Sequence, residues 1–333
     1  HLSLRRQRQM CIRDRLRVHC IRPAAYRSGH RLGSGGARHH QPPQQKARLM
    51  TLAATACLLA VLTALACAIP GTFVVLKGQA MLIDGIGHAV LPGIAVGYLF
   101  TADLDSPILL VTAAAGALVV ALGTDALQRS PLVTADSALG LVFPALFAAG
   151  VILISTHMSH VHLDVHAVLV GDLNLAAFSN PNYCYIMAAV LGINALFLAL
   201  TLPRLSATTF DADFCAARGV PTRVLHIIFM TVVACTATAA FHAAGAMLVI
   251  ALMVFPTMTA RLLTQRVPTL VLTACGVAAI SAVVGFWVAY VLDAATSAAM
   301  TVTNAVIFVA VLIIYRFRQR TSSLPQHTTP VAQ

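Results

Sequence analysis

From residue 50 onward the chain alternates between long apolar runs and short polar connectors. Runs of the length that crosses a hydrocarbon core, roughly 17–25 residues, fall at about 51–76, 80–100, 107–124, 137–155, 184–202, 224–241, 244–263, 268–291 and 299–315. The sixth and seventh are joined only by Phe241-His242-Ala243-Ala244-Gly245, so the pattern predicts eight or nine spans. The expected fold is all-α, a polytopic transmembrane helical bundle over residues 49–316. A polar tail at 317–333 is expected to be disordered. Gly, Ala, Ser and Thr pervade the runs, as they do where membrane helices approach closely.

Composition removes the soluble alternative. Apolar residues make up 59% of the chain and charged residues 10%, with a mean hydropathy of +0.83. A soluble domain carries about 25% charged residues, so lipid must replace water around much of this surface. The net charge of +11 has the size of a nucleic-acid footprint but not the distribution. Residues 1–48 hold twelve Lys/Arg against Asp14, whereas the rest holds ten Lys/Arg against ten Asp. No nucleic-acid partner is therefore expected. There is no Glu in the chain. The basic stretch is rich in Arg, Gln, Gly and His, without apolar periodicity or the apolar core of a signal peptide. It is expected to be an artefactual or disordered extension, with Met50 as a candidate start. The functional alternative is a basic arm on anionic membrane lipid. The eight Cys include no CxxC pair and read as small apolar core residues.

Connector charges set the expected orientation. Lys77, Arg129, the group Arg204, Arg218 and Arg223, the pair Arg261 and Arg266, and the C-terminal Arg316, Arg318 and Arg320 lie in alternate connectors and at the C-terminus. By the positive-inside rule these face the cytoplasm. The connectors with Asp103, Asp105, Asp164, Asp172 and Asp293 then face outward. Nine spans would put the N-terminus outside.

Three constellations carry candidate chemistry. Asp84 and His88 lie at i and i+4 in the second span, on one helix face. Ionisable groups inside a span are costly and functional by default. A carboxylate oxygen with an imidazole nitrogen suits Mn²⁺, Fe²⁺ or Zn²⁺ better than Ca²⁺ or K⁺. Pro92 and Gly93, one turn on, would loosen the helix and free carbonyls nearby. The alternative is an Asp–His hydrogen bond tying two helices together. The second constellation is His157, His160, His162, Asp164 and His166 in the fourth connector. There His162, Asp164 and His166 share a face if the segment is extended; they are either weak metal collectors at the pore mouth or a solvated loop. The third is Phe210-Asp211-Ala212-Asp213-Phe214-Cys215-Ala216-Ala217-Arg218-Gly219-Val220-Pro221. Asp211 can cap a short helix, and Gly219 and Pro221 can end it. It is either a docking knob for a soluble partner or a surface linker. Asp136, His226, His242 and Asp293 are single polar residues near span ends and read as structural. No Walker-type phosphate loop, nucleophile elbow or HExxH is present, so ATP hydrolysis by that route would need another subunit.

Taken in order, these segments resemble the manganese/zinc/iron permeases of ATP-binding-cassette importers. Phe73-Val74-Val75-Leu76-Lys77-Gly78 followed by Asp84 through Gly93 (DGIGHAVLPG) is similar to the family's gDalSHavLPG. Thr134 through Gly140 resembles sDaalGi, and Leu169-Val170-Gly171-Asp172-Leu173 resembles LfGdll. Residues 210–221 resemble fDpefAralGlp, and Gly245 through Thr264 is close to GvlLvvALLilPaatArlLt. The resemblance runs from about 55 to 315. Two departures stand out. Gly87 replaces the usual Ser before the His, and Ala294-Ala295-Thr296-Ser297-Ala298 replaces PtGp after the last outward acid.

The resemblance implies a pore between two permeases, the second being another copy or a paralogue. It also implies cytoplasmic ATPase subunits docked on Phe210, Asp211, Asp213, Arg218 and Gly219, and an extracytoplasmic metal-binding protein. It places Asp84 and His88 at the metal site of the translocation path in a bacterial inner membrane. No permanently bound cofactor is implied; the metal is cargo. The rival readings are a proton-coupled secondary transporter that uses Asp84–His88 as a proton relay, and a non-transporting membrane scaffold.

Overall fold

The computed structural model describes residues 43–101, 108–130, 132–157, 173 and 182–322. Within them run ten α-helices: α1 (Pro43–Leu76), α2 (Ala80–Thr101), α3 (Ile108–Gln128), α4 (Ala135–His157), α5 (Tyr183–Phe210), α6 (Ala212–Ala217), α7 (Thr222–Ala244), α8 (Ala246–Leu263), α9 (Val267–Leu292) and α10 (Thr296–Ser322). No strand occurs among the described residues. A bilayer leaves no water for stray backbone groups, so a helix, which pairs its own, is the natural solution.

Nine of the helices are long and apolar enough to span a membrane. The eight-or-nine question is settled at Gly245, where φ is +78° and one residue separates α7 from α8. That left-handed backbone suits Gly because a Cβ would be strained there. At the other end, α10 continues to Ser322, past the boundary predicted at Arg316. Arg is a good helix former, and cations favour a helix C-terminus, so polarity alone did not stop it.

Burial sorts the helices. The spanning segment of α1 is 72% buried, that of α2 61%, and those of α7 and α8 56% each, whereas α4 and α5 reach only 11%. The first four form the centre. α2 packs on α3, α4, α7 and α8, while α8, α9 and α10 pack together. Two buried polar side chains find partners across helices. Asn194 of α5 donates to the Ala66 carbonyl of α1 (2.9 Å) and to Thr236 Oγ1 of α7 (3.0 Å). The Tyr183 hydroxyl donates to the Ala239 carbonyl (2.8 Å). Such bonds tie membrane helices together by on the order of 1 kcal/mol each.

α2 and α3, which run antiparallel, approach to backbone contact. A Cβ on Gly93 would lie 2.6 Å from the Thr112 carbonyl oxygen and 2.7 Å from Ala113 Cα. Both are backbone atoms and cannot step aside. Gly116 of α3 returns the contact against the Ala89 carbonyl. Gly93→Ala is therefore expected to force the two helices apart and destabilise the protein by about 1–3 kcal/mol. Gly192→Ala in α5, where no atom lies within 4 Å of the new Cβ, is expected to be neutral or to stabilise by up to about 1 kcal/mol. Thermal unfolding in detergent reads both; equal shifts would contradict the packing described.

Candidate functional site

Asp84 is the fifth residue of α2, and His88 follows one turn later. The shared face predicted from the spacing is present, with His88 Nε2 3.5 Å from Asp84 Oδ1. The Asp84 side chain is 50% exposed and that of His88 31%, so the pair opens sideways from the bundle rather than closing inside it.

Helix α4 holds the imidazole. Leu139, Phe143 and Phe147 recur every four residues and make one stripe along α2. Leu139 fills the space beside Gly85. The Phe143 ring lies 5.1 Å from the His88 ring, tilted by 36°, and Phe147 meets it edge-on at 5.8 Å. Gly150, further along α4, abuts Pro92. Two phenyl rings thus fix the imidazole while its Nε2 faces the carboxylate. Pro92 lies within α2 and has no N–H, so the carbonyl of His88, four residues earlier, lacks its helical donor. One face of α2 offers a carboxylate oxygen, an imidazole nitrogen and an under-used carbonyl.

The short helix α6 is capped as its sequence predicts. Asp211 Oδ1 accepts from the Phe214 N–H at 2.9 Å. Gly219, at φ +77°, turns the chain, and the Val220 N–H donates to the Cys215 carbonyl at 3.1 Å. Cys215 is buried, whereas Phe210 and Phe214 are 70% and 55% exposed. The Arg218 guanidinium sits 4.9 Å above the Phe214 ring, and Asp213 lies in the first turn. The result is a rigid knob, resting on α5 and α7, with an aromatic surface and charges beside it.

A cluster not singled out from the sequence lies at the same end of the bundle. Lys77 Nζ is 3.2 Å from His226 Nδ1, and His226 Nε2 is 3.1 Å from Asp125 Oδ1. Arg129 donates to Asp125 Oδ2 at 2.7 Å. Lys77 also lies over the Phe229 ring at 4.9 Å. Burial pushes the Lys77 ammonium below its ordinary pKa, and the Asp125 carboxylate opposes that shift. The i, i+4 spacing of Asp125 and Arg129 was a readable signal. Nothing in the spacing joins Lys77 to His226, which are 149 residues apart.

The remaining polar residues are placed as follows. Asp136 lies in the first turn of α4, where its charge favours the helix dipole. His242 stacks near Tyr183 at 5.3 Å, and Asp293 ends α9 in a left-handed conformation. His157 ends α4, with its Nδ1 2.7 Å from Thr156 Oγ1. His160, His162, Asp164 and His166 lie outside the described residues, as do Asp103, Asp105 and Asp172. Among the described residues no group of three or more His, Cys, Asp or Glu side chains converges as a metal cage would.

Comparison with known proteins gives these observations a context. Residues 50–315 match the ABC 3 transport family. The manganese transport system membrane protein MntD of Bacillus subtilis is 32% identical over 262 residues, covering 76% of this chain and 88% of that protein. The zinc transport system membrane protein TroD of Treponema pallidum is 35% identical over 264 residues, covering 77% and 72%. The chelated iron transport system membrane protein YfeD of Yersinia pestis is 28% identical, covering 78% and 84%. The solved structure of PsaBC from Streptococcus pneumoniae in complex with Fab shares the fold, with a TM-score of 0.68 at 23% identity over 80% of this chain and 94% of that one. An inward-facing conformation of a putative metal-chelate type ABC transporter aligns with a TM-score of 0.55. The chain belongs to the ABC 3 transport family and is a multi-pass membrane permease subunit.

The departure at Gly87 has a structural counterpart. A Cβ there would lie 2.9 Å from the tip of the Phe241 ring of α7, so in this chain an aromatic ring takes the space that a side chain at residue 87 would need. Gly87→Ser is expected to destabilise the protein by about 1 kcal/mol, and Phe241→Leu in the same chain to recover part of it. A double-mutant cycle of detergent melting curves should show coupling above about 0.5 kcal/mol; additive effects would contradict the contact.

Proposed function

We propose that this chain is the membrane-spanning permease of an ATP-binding-cassette importer that carries Mn, Zn or Fe across a bacterial inner membrane, with Asp84 and His88 as cargo ligands in the pore. The observation that carries the reading is the carboxylate–imidazole pair on α2, held by Phe143 and Phe147 and open on one side. Relatives named for manganese, zinc and chelated iron support the class of cargo.

The geometry suits transient binding. Metal–oxygen and metal–nitrogen bonds of about 2.1 Å let one ion bridge two atoms that stand 3.5 Å apart with little movement. Neutral His88 donates through Nε2, and Asp84 supplies the charge that offsets the ion's lost hydration. Two ligands bind less tightly than a four-ligand cage, and transport needs release as much as capture. The half-exposed Asp84 faces a second permease, a copy or a paralogue, which closes the pore and completes the coordination. Lipid covers the outer helices.

Energy enters from a separate cytoplasmic ATPase, which grips the aromatic knob of α6 at Phe210 and Phe214, with Asp211, Asp213, Arg218 and Gly219 shaping it. An extracytoplasmic metal-binding protein delivers the ion to the opposite face. ATP-driven movement then alternates access to the Asp84–His88 pair. A proton relay through the same pair is less favoured, since the family is one of ATP-binding-cassette permeases.

Two outcomes test the assignments. Asp84→Ala should reach the membrane at normal levels yet lose at least about tenfold in uptake of labelled Mn²⁺ or Zn²⁺ by cells; uptake at the wild-type rate would remove Asp84 from the path. Phe214→Ala should weaken capture of the ATPase subunit by about 2 kcal/mol, the cost of losing an aromatic anchor, without changing detergent stability. Undiminished capture in a pull-down would place the docking surface elsewhere.

A further inference from the structure

The Lys77, Asp125, Arg129 and His226 cluster is left without a role by the cargo pair and the docking knob. Lys77 comes from the connector between α1 and α2, Asp125 from the last turn of α3, Arg129 from just beyond it and His226 from the second turn of α7. The Asp125 and His226 side chains are only 20% and 18% exposed. A charged group so placed is costly unless paired, so the arrangement holds only while its members stay in register.

The chemistry defines a proton assignment. A lysine ammonium can only donate, so His226 Nδ1 accepts from Lys77 and the ring proton sits on Nε2, beside Asp125. Nε2 and Asp125 Oδ1 stand 3.1 Å apart without hydrogen-bond alignment. His226 is thus a wedge between a cation and a carboxylate. Withdraw the wedge, and Lys77 can close directly on Asp125. The structure holds the arrangement bridged by His226; the direct contact is the second arrangement that a relay requires.

The wedge is attached to the docking knob. Only residues 218–221 separate α6 from α7, and His226 is the fifth residue of α7. On the other side, Lys77 precedes α2 by three residues, and Asp84 lies one turn into that helix. We propose that Asp125 is a positioning residue that transmits movement of the docking helix to the Asp84–His88 helix by exchanging the His226-bridged contact with Lys77 for a direct one. The inference rests on α6 being where the ATPase docks.

The test uses the full importer in proteoliposomes, with ATP hydrolysis and uptake of Mn²⁺ and Zn²⁺ measured together. Asp125→Asn and His226→Leu are expected to keep the ATPase bound and hydrolysing while the number of ions moved per ATP falls by about tenfold or more. His226→Gln should stay within about twofold of wild type, because the Gln carbonyl accepts from Lys77 and its amide donates to Asp125. The inference is overturned if Asp125→Asn and His226→Leu keep the wild-type ratio. It is also overturned if His226→Gln fails like His226→Leu, or if hydrolysis and uptake fall in proportion, as for a mere structural staple. Should Asp125→Asn fail to assemble, the two His226 variants decide alone. A wild-type importer without ATP-dependent uptake would overturn the proposed function itself, whereas a coupled wild type with equally coupled Asp125→Asn and His226→Leu variants would overturn only the relay.

Discussion

Inside a bilayer there is no water to satisfy a stray charge or an idle backbone group, and the few polar residues of this chain are arranged under that constraint. Each unsatisfied group costs several kcal/mol. Helices answer for the backbone and for most buried Thr hydroxyls, and cross-helix bonds answer for Asn194 and Tyr183. Two ionisable groupings remain. One, Asp84 with His88, is half open to its surroundings; the other, around Asp125, is closed on itself. An open pair invites an ion from outside, whereas a closed one holds helices in register. On the proposed reading, the exposed Asp84 belongs to a site for cargo and the mostly buried Asp125 and His226 to a device for position.

Small residues make this arrangement possible. Gly93 and Gly116 bring α2 and α3 into backbone contact, and Gly85 and Gly150 let α4 lie along α2. Close approach places Phe143 and Phe147 on the His88 ring. Larger side chains at those glycines would separate the helices and release the imidazole before any ligand was touched. Packing and site chemistry are therefore one problem on α2.

The spans were legible because hydropathy over some twenty residues is a strong signal, and the observed helices start and stop near the predicted runs. The Asp84–His88 pair was legible because i, i+4 spacing is local. What holds His88 was not, since Phe143 and Phe147 sit on another helix and their stripe reads equally well as lipid-facing. The Asp211 cap was local and visible. The Lys77–His226 contact joins residues 149 positions apart, and His226 read alone looked like one more polar residue at a span end. Hydropathy also ended the last helix too early, because Arg316 and Arg318 are as helical as they are polar.

The central claim is that this permease moves a divalent metal ion by an ATP-driven cycle. The direct measurement is uptake of labelled Mn²⁺ and Zn²⁺ into proteoliposomes holding the chain with its ATPase and metal-binding protein, with and without ATP, and with an imposed pH gradient. The account predicts uptake that needs ATP and ignores the gradient. Uptake that follows the gradient and continues without ATP would contradict it and make the Asp84–His88 pair a proton relay.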